Sequence, residues 1–241
     1  FMVESIKKLR EICQQPVLHL NTWYPRNFAR KLSIYVTWLF IHLKISGNAA
    51  SIIMLFTGII ASYLFTFGTY WYSFTAVLIL QFWFILDHVD GELARYWKQA
   101  SSKGIFLDKL NHHIVHPLIF LFIGIGMYKQ FNNSLFLIAG GFTAYFLLLQ
   151  DLINIDKRDS IFESKLIKSK IKLQEKIDFK NKLFRNISLI IYKVPGMMNI
   201  ITLAAIFNLL YYIFLFYVMT YPIIILLKLI NNISMPNHKF K

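Results

Sequence analysis

Long uncharged runs alternate along this chain with short charged intervals. From Ile45 to Leu86 there is no Asp, Glu, Lys or Arg. A helix rises about 1.5 Å per residue and crosses the roughly 30 Å hydrocarbon core in about 20 residues, so this run is too long for one span. It breaks at TFGTY, Thr66 to Tyr70, which predicts two helices joined by a tight turn. Leu110 to Tyr128 and Phe131 to Gln150 form a second pair, split at KQFNN. Val194 to Leu227 again holds two spans and turns near Asn208, with Pro222 complicating the boundary. The pattern predicts an all-α, polytopic membrane protein with six transmembrane helices. The 12 residues Leu32 to Leu43 are too short to cross. With Arg26, Arg30, Lys31 and Lys44 around them, they predict an amphipathic helix lying in the interface. The chain thus divides into an N-terminal cytoplasmic or interfacial segment, 1–44, a six-helix domain, 45–232, with a basic loop at 157–193, and a tail, 233–241.

Composition agrees with this reading. The chain has 241 residues, of which 56% are apolar and 17% aromatic, and its mean hydropathy is +0.50. The net charge of +14 would suggest nucleic acid in a soluble protein. Here, however, the basic residues lie between or beside apolar runs, where cytoplasmic loops collect Lys and Arg, so no nucleic-acid partner is expected. With six spans, the N-terminal segment, 87–109, 157–186 and the C-terminus share one side, which the charge bias makes cytoplasmic. The interval 157–186 holds ten basic and four acidic residues among apolar ones. It reads as an orienting loop on the membrane surface, or as a site for anionic lipid head groups or a phosphate-bearing substrate. The single cysteine, Cys13, excludes an internal disulfide framework and a Cys-based zinc site.

Against this apolar background, four of the twelve acidic residues gather in one window: Asp87, Asp90, Glu92 and Asp108. Asp87 and Asp90 are three apart and share a helix face, which Ala94 continues, and Gly91 and Ala94 leave room beside them. On the next helix Asp108 and His112 are four apart, with Asn111 and His116 flanking the stripe and His113 pointing elsewhere. Converging carboxylates near a membrane are costly unless neutralised. Hard divalent cations such as Mg²⁺ or Mn²⁺ relieve the repulsion through oxygen ligands, and they also clamp phosphates. Ion pairs with Arg95, Lys98 or Lys103, and a zinc stripe through Asp108, His112 and His116, are the competing readings.

The window resembles the signature of the CDP-alcohol phosphotransferases, DxxDGxxAR, eight residues, then GxxxDxxxD. Asp87, Asp90, Gly91, Ala94 and Arg95 are followed after eight residues by Gly104 and then Asp108, and His112 stands where the fourth aspartate is expected. GNAAS, Gly47 to Ser51, is similar to the family's PNxxT motif at the start of the first span, with Asn48 and Ser51 in place.

The resemblance implies transfer of a substituted phosphoryl group from a CDP-alcohol to the hydroxyl of a lipid or polyol acceptor, with release of CMP. It implies two Mg²⁺ or Mn²⁺ ions at Asp87, Asp90 and Asp108, the second held more weakly because of His112. Gly91, Ala94, Gly104, Asn48 and Ser51 would then shape the nucleotide site. Arg95 would contact phosphate or pair with Asp90 or Glu92. His112 takes the place of the residue assigned to accept the acceptor's proton, a role suited to an imidazole with an ordinary pKa of about 6.5. A homodimer in the inner membrane of a prokaryote, its site facing the cytoplasm, is the expected setting. Two other readings stand beside it: a degenerate member that binds nucleotide without turnover, and a transporter.

Overall fold

The computed structural model describes residues 3–20, 23–167 and 195–233, all in helices and their connections, with no strand among them. A short helix α1 (Ile6–Leu9) continues through π- and 3₁₀-helical turns (Arg10–Gln14, Gln15–Leu20 and Pro25–Ala29) into α2 (Arg30–His42). Then follow α3 (Gly47–Leu64), α4 (Tyr70–Tyr96), α5 (Ser102–Phe131), α6 (Leu135–Ile167), α7 (Gly196–Ile206) and α8 (Leu210–Ile233).

Five of the described helices are long and apolar enough to span a bilayer, over Gly47–Phe67, Tyr70–Tyr96, Ser102–Phe131, Leu135–Ile155 and Leu210–Ile230. The expected fifth span coincides with α7, a shorter apolar helix of 11 residues. Large apolar side chains such as Phe56, Ile60, Phe82, Ile138, Phe142 and Leu226 face outward, as a lipid-facing surface requires.

The turns fall where the pattern put them. Gly68 closes the α3–α4 turn at φ 66, and a Cβ there would come within 2.3 Å of the Gly126 carbonyl oxygen, so glycine is needed for conformation and for space. Asn132 (φ 50) ends α5, and Asn208 (φ 56) separates α7 from α8. Ser46 caps α3 by accepting from the Ala49 amide, and Ser101 caps α5 by accepting from the Gly104 amide.

Two connections differ from expectation. The interval 87–109, which its charge and its place between two uncharged runs mark as a connecting loop, is mostly helix, because α4 runs to Tyr96 and α5 starts at Ser102, which leaves only 97–101 between them. Likewise α6 continues to Ile167 into the interval expected as a basic loop, and the rest of that loop, 168–193, and the tail from 234 lie outside the described residues.

α3 and α5 pack on one another, α4 packs against α3, α2 and α7, and α6 packs against α5 and α8. Trp83 of α4 is fully buried in the middle, edge-on to the rings of His112 and His116 on α5. α2 is amphipathic in an unusual sense: Arg30, Ser33 and Thr37 are buried, while Tyr35, Trp38, Leu39 and Leu43 are exposed. Its polar stripe faces the protein and aromatic and apolar side chains face out, the arrangement expected of a helix resting against lipid.

Candidate functional site

α3, α4 and α5 reach one end of the bundle together, and their ends surround a cavity of about 470 Å³. The residues of the signature and of the GNAAS motif line it: Asp87, Asp90, Gly91, Ala94 and Arg95 from α4, Gly104, Asp108 and His112 from α5, and Asn48 and Ser51 from α3. Arg30 of α2 completes the wall. The approach of α3 to α4 is close. A Cβ on Gly47 would lie 2.9 Å from the Asp90 carbonyl oxygen, so a larger residue would push Asn48 and Ser51 away from the acidic face.

Within the cavity, Asp87, Asp108 and His112 each offer a ligand atom, and these atoms lie within 4.8 Å of one another. His112 Nε2 is 2.9 Å from Asp87 Oδ1 and 3.6 Å from Asp108 Oδ1. A carboxylate can only accept, so Nε2–H donates to Asp87. On the far side of the ring, Nδ1 is 3.4 Å from Nε2 of His116. The spacing of four thus does bring Asp108 and His112 to one point, and the charge of Asp87 meets them from α4.

Asp90 lies apart from this trio. Ser51 Oγ donates to its Oδ2 at 2.8 Å, and the Gly91 amide donates to its Oδ1. Ser51 is fixed in turn, since the Asn111 amide group donates to its carbonyl oxygen at 2.9 Å. Asn111 therefore braces α3 against α5 rather than entering the cavity. His113 turns away to Asp151 of α6, at 2.9 Å.

Arg95 pairs with neither acid weighed for it. Its Nε donates to the Cys13 carbonyl oxygen at 2.6 Å, and its guanidinium lies over Gly91 at the cavity wall. Glu92, fully buried, points the other way, into the N-terminal segment. It accepts from Gln14 Nε2 (2.8 Å), Ser33 Oγ (2.7 Å), Thr37 Oγ1 (2.7 Å) and Arg30 Nη1 (3.2 Å). Glu92 shares the acidic window with the three aspartates in sequence, but five positions beyond Asp87 a helical side chain has turned to the opposite face. The polar stripe Arg30, Ser33 and Thr37 in a mostly apolar segment was the signal that α2 had a polar partner.

Two carboxylates and an imidazole converging on one point, with a third carboxylate nearby, suit a divalent cation in oxygen-rich coordination, and the guanidinium groups of Arg30 and Arg95 on the same cavity suit phosphate. The fold and this cavity define a class: an all-α integral membrane protein with a polar, charge-divided site at one end of its helix bundle. The family model for CDP-alcohol phosphatidyltransferase matches residues 46–230, and the chain belongs to that family. No curated protein matches it. Membership places the chain among the transferases that move a phosphate-linked group from a CDP-alcohol, in a family that uses divalent metals.

Proposed function

We propose that the chain catalyses transfer of a substituted phosphoryl group from a CDP-alcohol to the hydroxyl of a lipid or polyol, releasing CMP, in the synthesis of a phospholipid or related glycolipid. The observation that carries this reading is the convergence of Asp87, Asp108 and His112 in a cavity that all the other signature residues line. Asp87, Asp108 and Asp90 are the residues that would hold Mg²⁺ or Mn²⁺. When bound, such ions neutralise the pyrophosphate of the donor and stabilise the departing CMP.

The residues of the chain supply the rest. The acceptor oxygen bonds to the phosphorus that carries the donor alcohol, the bond from that phosphorus to CMP breaks, and the hydroxyl proton passes to His112 Nε2. This role needs the tautomer with the ring proton on Nδ1, facing His116 Nε2, in place of the Nε2–H that donates to Asp87, whose carboxylate would instead hold the cation. Gly91 and Ala94 keep the α4 backbone open to the nucleotide, Gly104, Asn48 and Ser51 shape the opposite wall, and Arg95 faces phosphate. A second reading, favoured by the 4.8 Å cluster, makes His112 a metal ligand instead.

The charge asymmetry supports an orientation with this end of the bundle in the cytoplasm of a prokaryote, where CDP-linked donors are made, and a homodimer is part of the same proposal. The test is CMP release in detergent from a panel of CDP-alcohols, including CDP-diacylglycerol, CDP-choline and CDP-ethanolamine, with Mg²⁺ or Mn²⁺. Release from at least one donor, above a metal-free control, is expected. Release from none would favour the degenerate member.

A further inference from the structure

Arg30 lies outside the matched region 46–230, yet its side chain reaches the cavity that the matched residues form. It is 8% exposed, and its Nε is a buried donor without a hydrogen-bond partner. Its Nη1 reaches Glu92 at 3.2 Å, the longest of that carboxylate's four contacts. Three neutral donors already satisfy Glu92 at 2.7 to 2.8 Å. The pair therefore uses little of a guanidinium that carries five N–H donors in a fixed fork.

Burying a cation with a spare donor beside a polar cavity is costly unless an anion meets it there. The acids of the cavity do not answer this need: Asp87 and Asp108 converge with His112, and Asp90 is bonded to Ser51 and Gly91. Arg95 stands on the same wall, held by the Cys13 carbonyl. The two guanidinium groups come from different segments and face one space, the geometry with which arginines grip a phosphate pair.

We infer that Arg30, supplied by the N-terminal segment, binds the pyrophosphate of the nucleotide donor. The inference rests on the proposed function and assigns a binding residue beyond the signature. It also gives the N-terminal segment a part in substrate binding.

The test measures binding of CDP and of cytidine to the full chain in detergent with Mn²⁺, by calorimetry, for wild type, Arg30→Gln and the double variant Arg30→Gln/Glu92→Gln. Loss of a charged hydrogen-bonding group should weaken CDP binding about ten-fold or more in both variants and leave cytidine binding unchanged. The double variant removes the buried pair together, so no unpaired charge is left to unfold the protein, and its thermal melt should stay near wild type. CDP binding at the wild-type level in either variant overturns the inference, because Arg30 would then serve only to neutralise Glu92. An equal loss of cytidine and CDP overturns it too, as general damage to the site. If the wild type itself binds no CDP, the proposed function fails and takes this inference with it.

Discussion

His112 Nε2 donates to Asp87 Oδ1 at 2.9 Å while standing 3.6 Å from Asp108 Oδ1, so one imidazole joins α5 to α4 where two carboxylates meet. An aspartate at this position would place a third carboxylate in the same small space. Histidine lowers that repulsion, since a ring whose Nε2–H donates to Asp87 is tolerated beside two acids where another anion is not.

This contact separates the two roles of His112. As general base, His112→Ala should lose roughly 10²- to 10⁴-fold in rate and keep Mn²⁺ and CDP binding, while His112→Asp recovers part of the rate. As a metal ligand, His112→Ala should instead weaken Mn²⁺ binding in a titration that needs no turnover. An unchanged rate would remove the residue from the mechanism and leave His116 as the remaining histidine on that face.

Asp87→Asn and Asp108→Asn should each lower activity by orders of magnitude and reduce Mn²⁺ affinity, because the amide keeps the shape and loses the charge that holds a hard cation. Asp90 is separated from them by its bond to Ser51. Ser51→Ala should therefore act through Asp90, with a smaller effect of about ten-fold, the scale of one hydrogen bond to a charged group. That effect should vanish in an Asp90→Asn background, as a double-mutant cycle would show.

Cys13 is fully buried, and burial, with the nearby Glu92 charge as a lesser cause, pushes its thiol up to about 11. The thiolate is the reactive form, so folded protein should resist maleimide at neutral pH and label rapidly once denatured. The shift also has a stability sign. The fold favours the protonated thiol, so its contribution is intact below the unfolded-state value of about 8.5 and is lost as pH rises toward 11. A melt series from pH 8 to 11 should fall more steeply for wild type than for Cys13→Ser. Rapid labelling of native protein at pH 7 would contradict the burial of this residue.

Orientation can be read from intact cells on the Cys13→Ser background. A cysteine introduced at Lys129, or at the exposed Thr69 beside Gly68, should react with an impermeant reagent from outside, and one at Lys103 or Lys170 should not. Reaction at 103 from outside would place the site in the wrong compartment for a CDP-linked donor.

The legible part of this protein was what depends on periodicity and sequence spacing. Uncharged runs marked the turns at Gly68, Asn132 and Asn208, and the offsets of Asp87, Asp90, Asp108 and His112 brought all four to one cavity. What escaped depends on long-range partners. Glu92 could not be told from its acidic neighbours until α2 supplied Arg30, Ser33 and Thr37, between 55 and 62 residues away in sequence. The split between Asp90 and the trio was equally hidden, because it turns on one hydroxyl from α3. The helical course of 102–109 was obscured by charge, which marks a loop in one setting and a helix end in another.

The partners of Glu92 bear on how the chain is made. All four donors come from Gln14, Arg30, Ser33 and Thr37, which leave the ribosome before Glu92 does. The carboxylate of α4 is thus made after every donor from which it accepts. A deletion of the first 40 residues should consequently show itself during biogenesis, as failed insertion or rapid degradation of the nascent protein, before any defect in turnover can be measured.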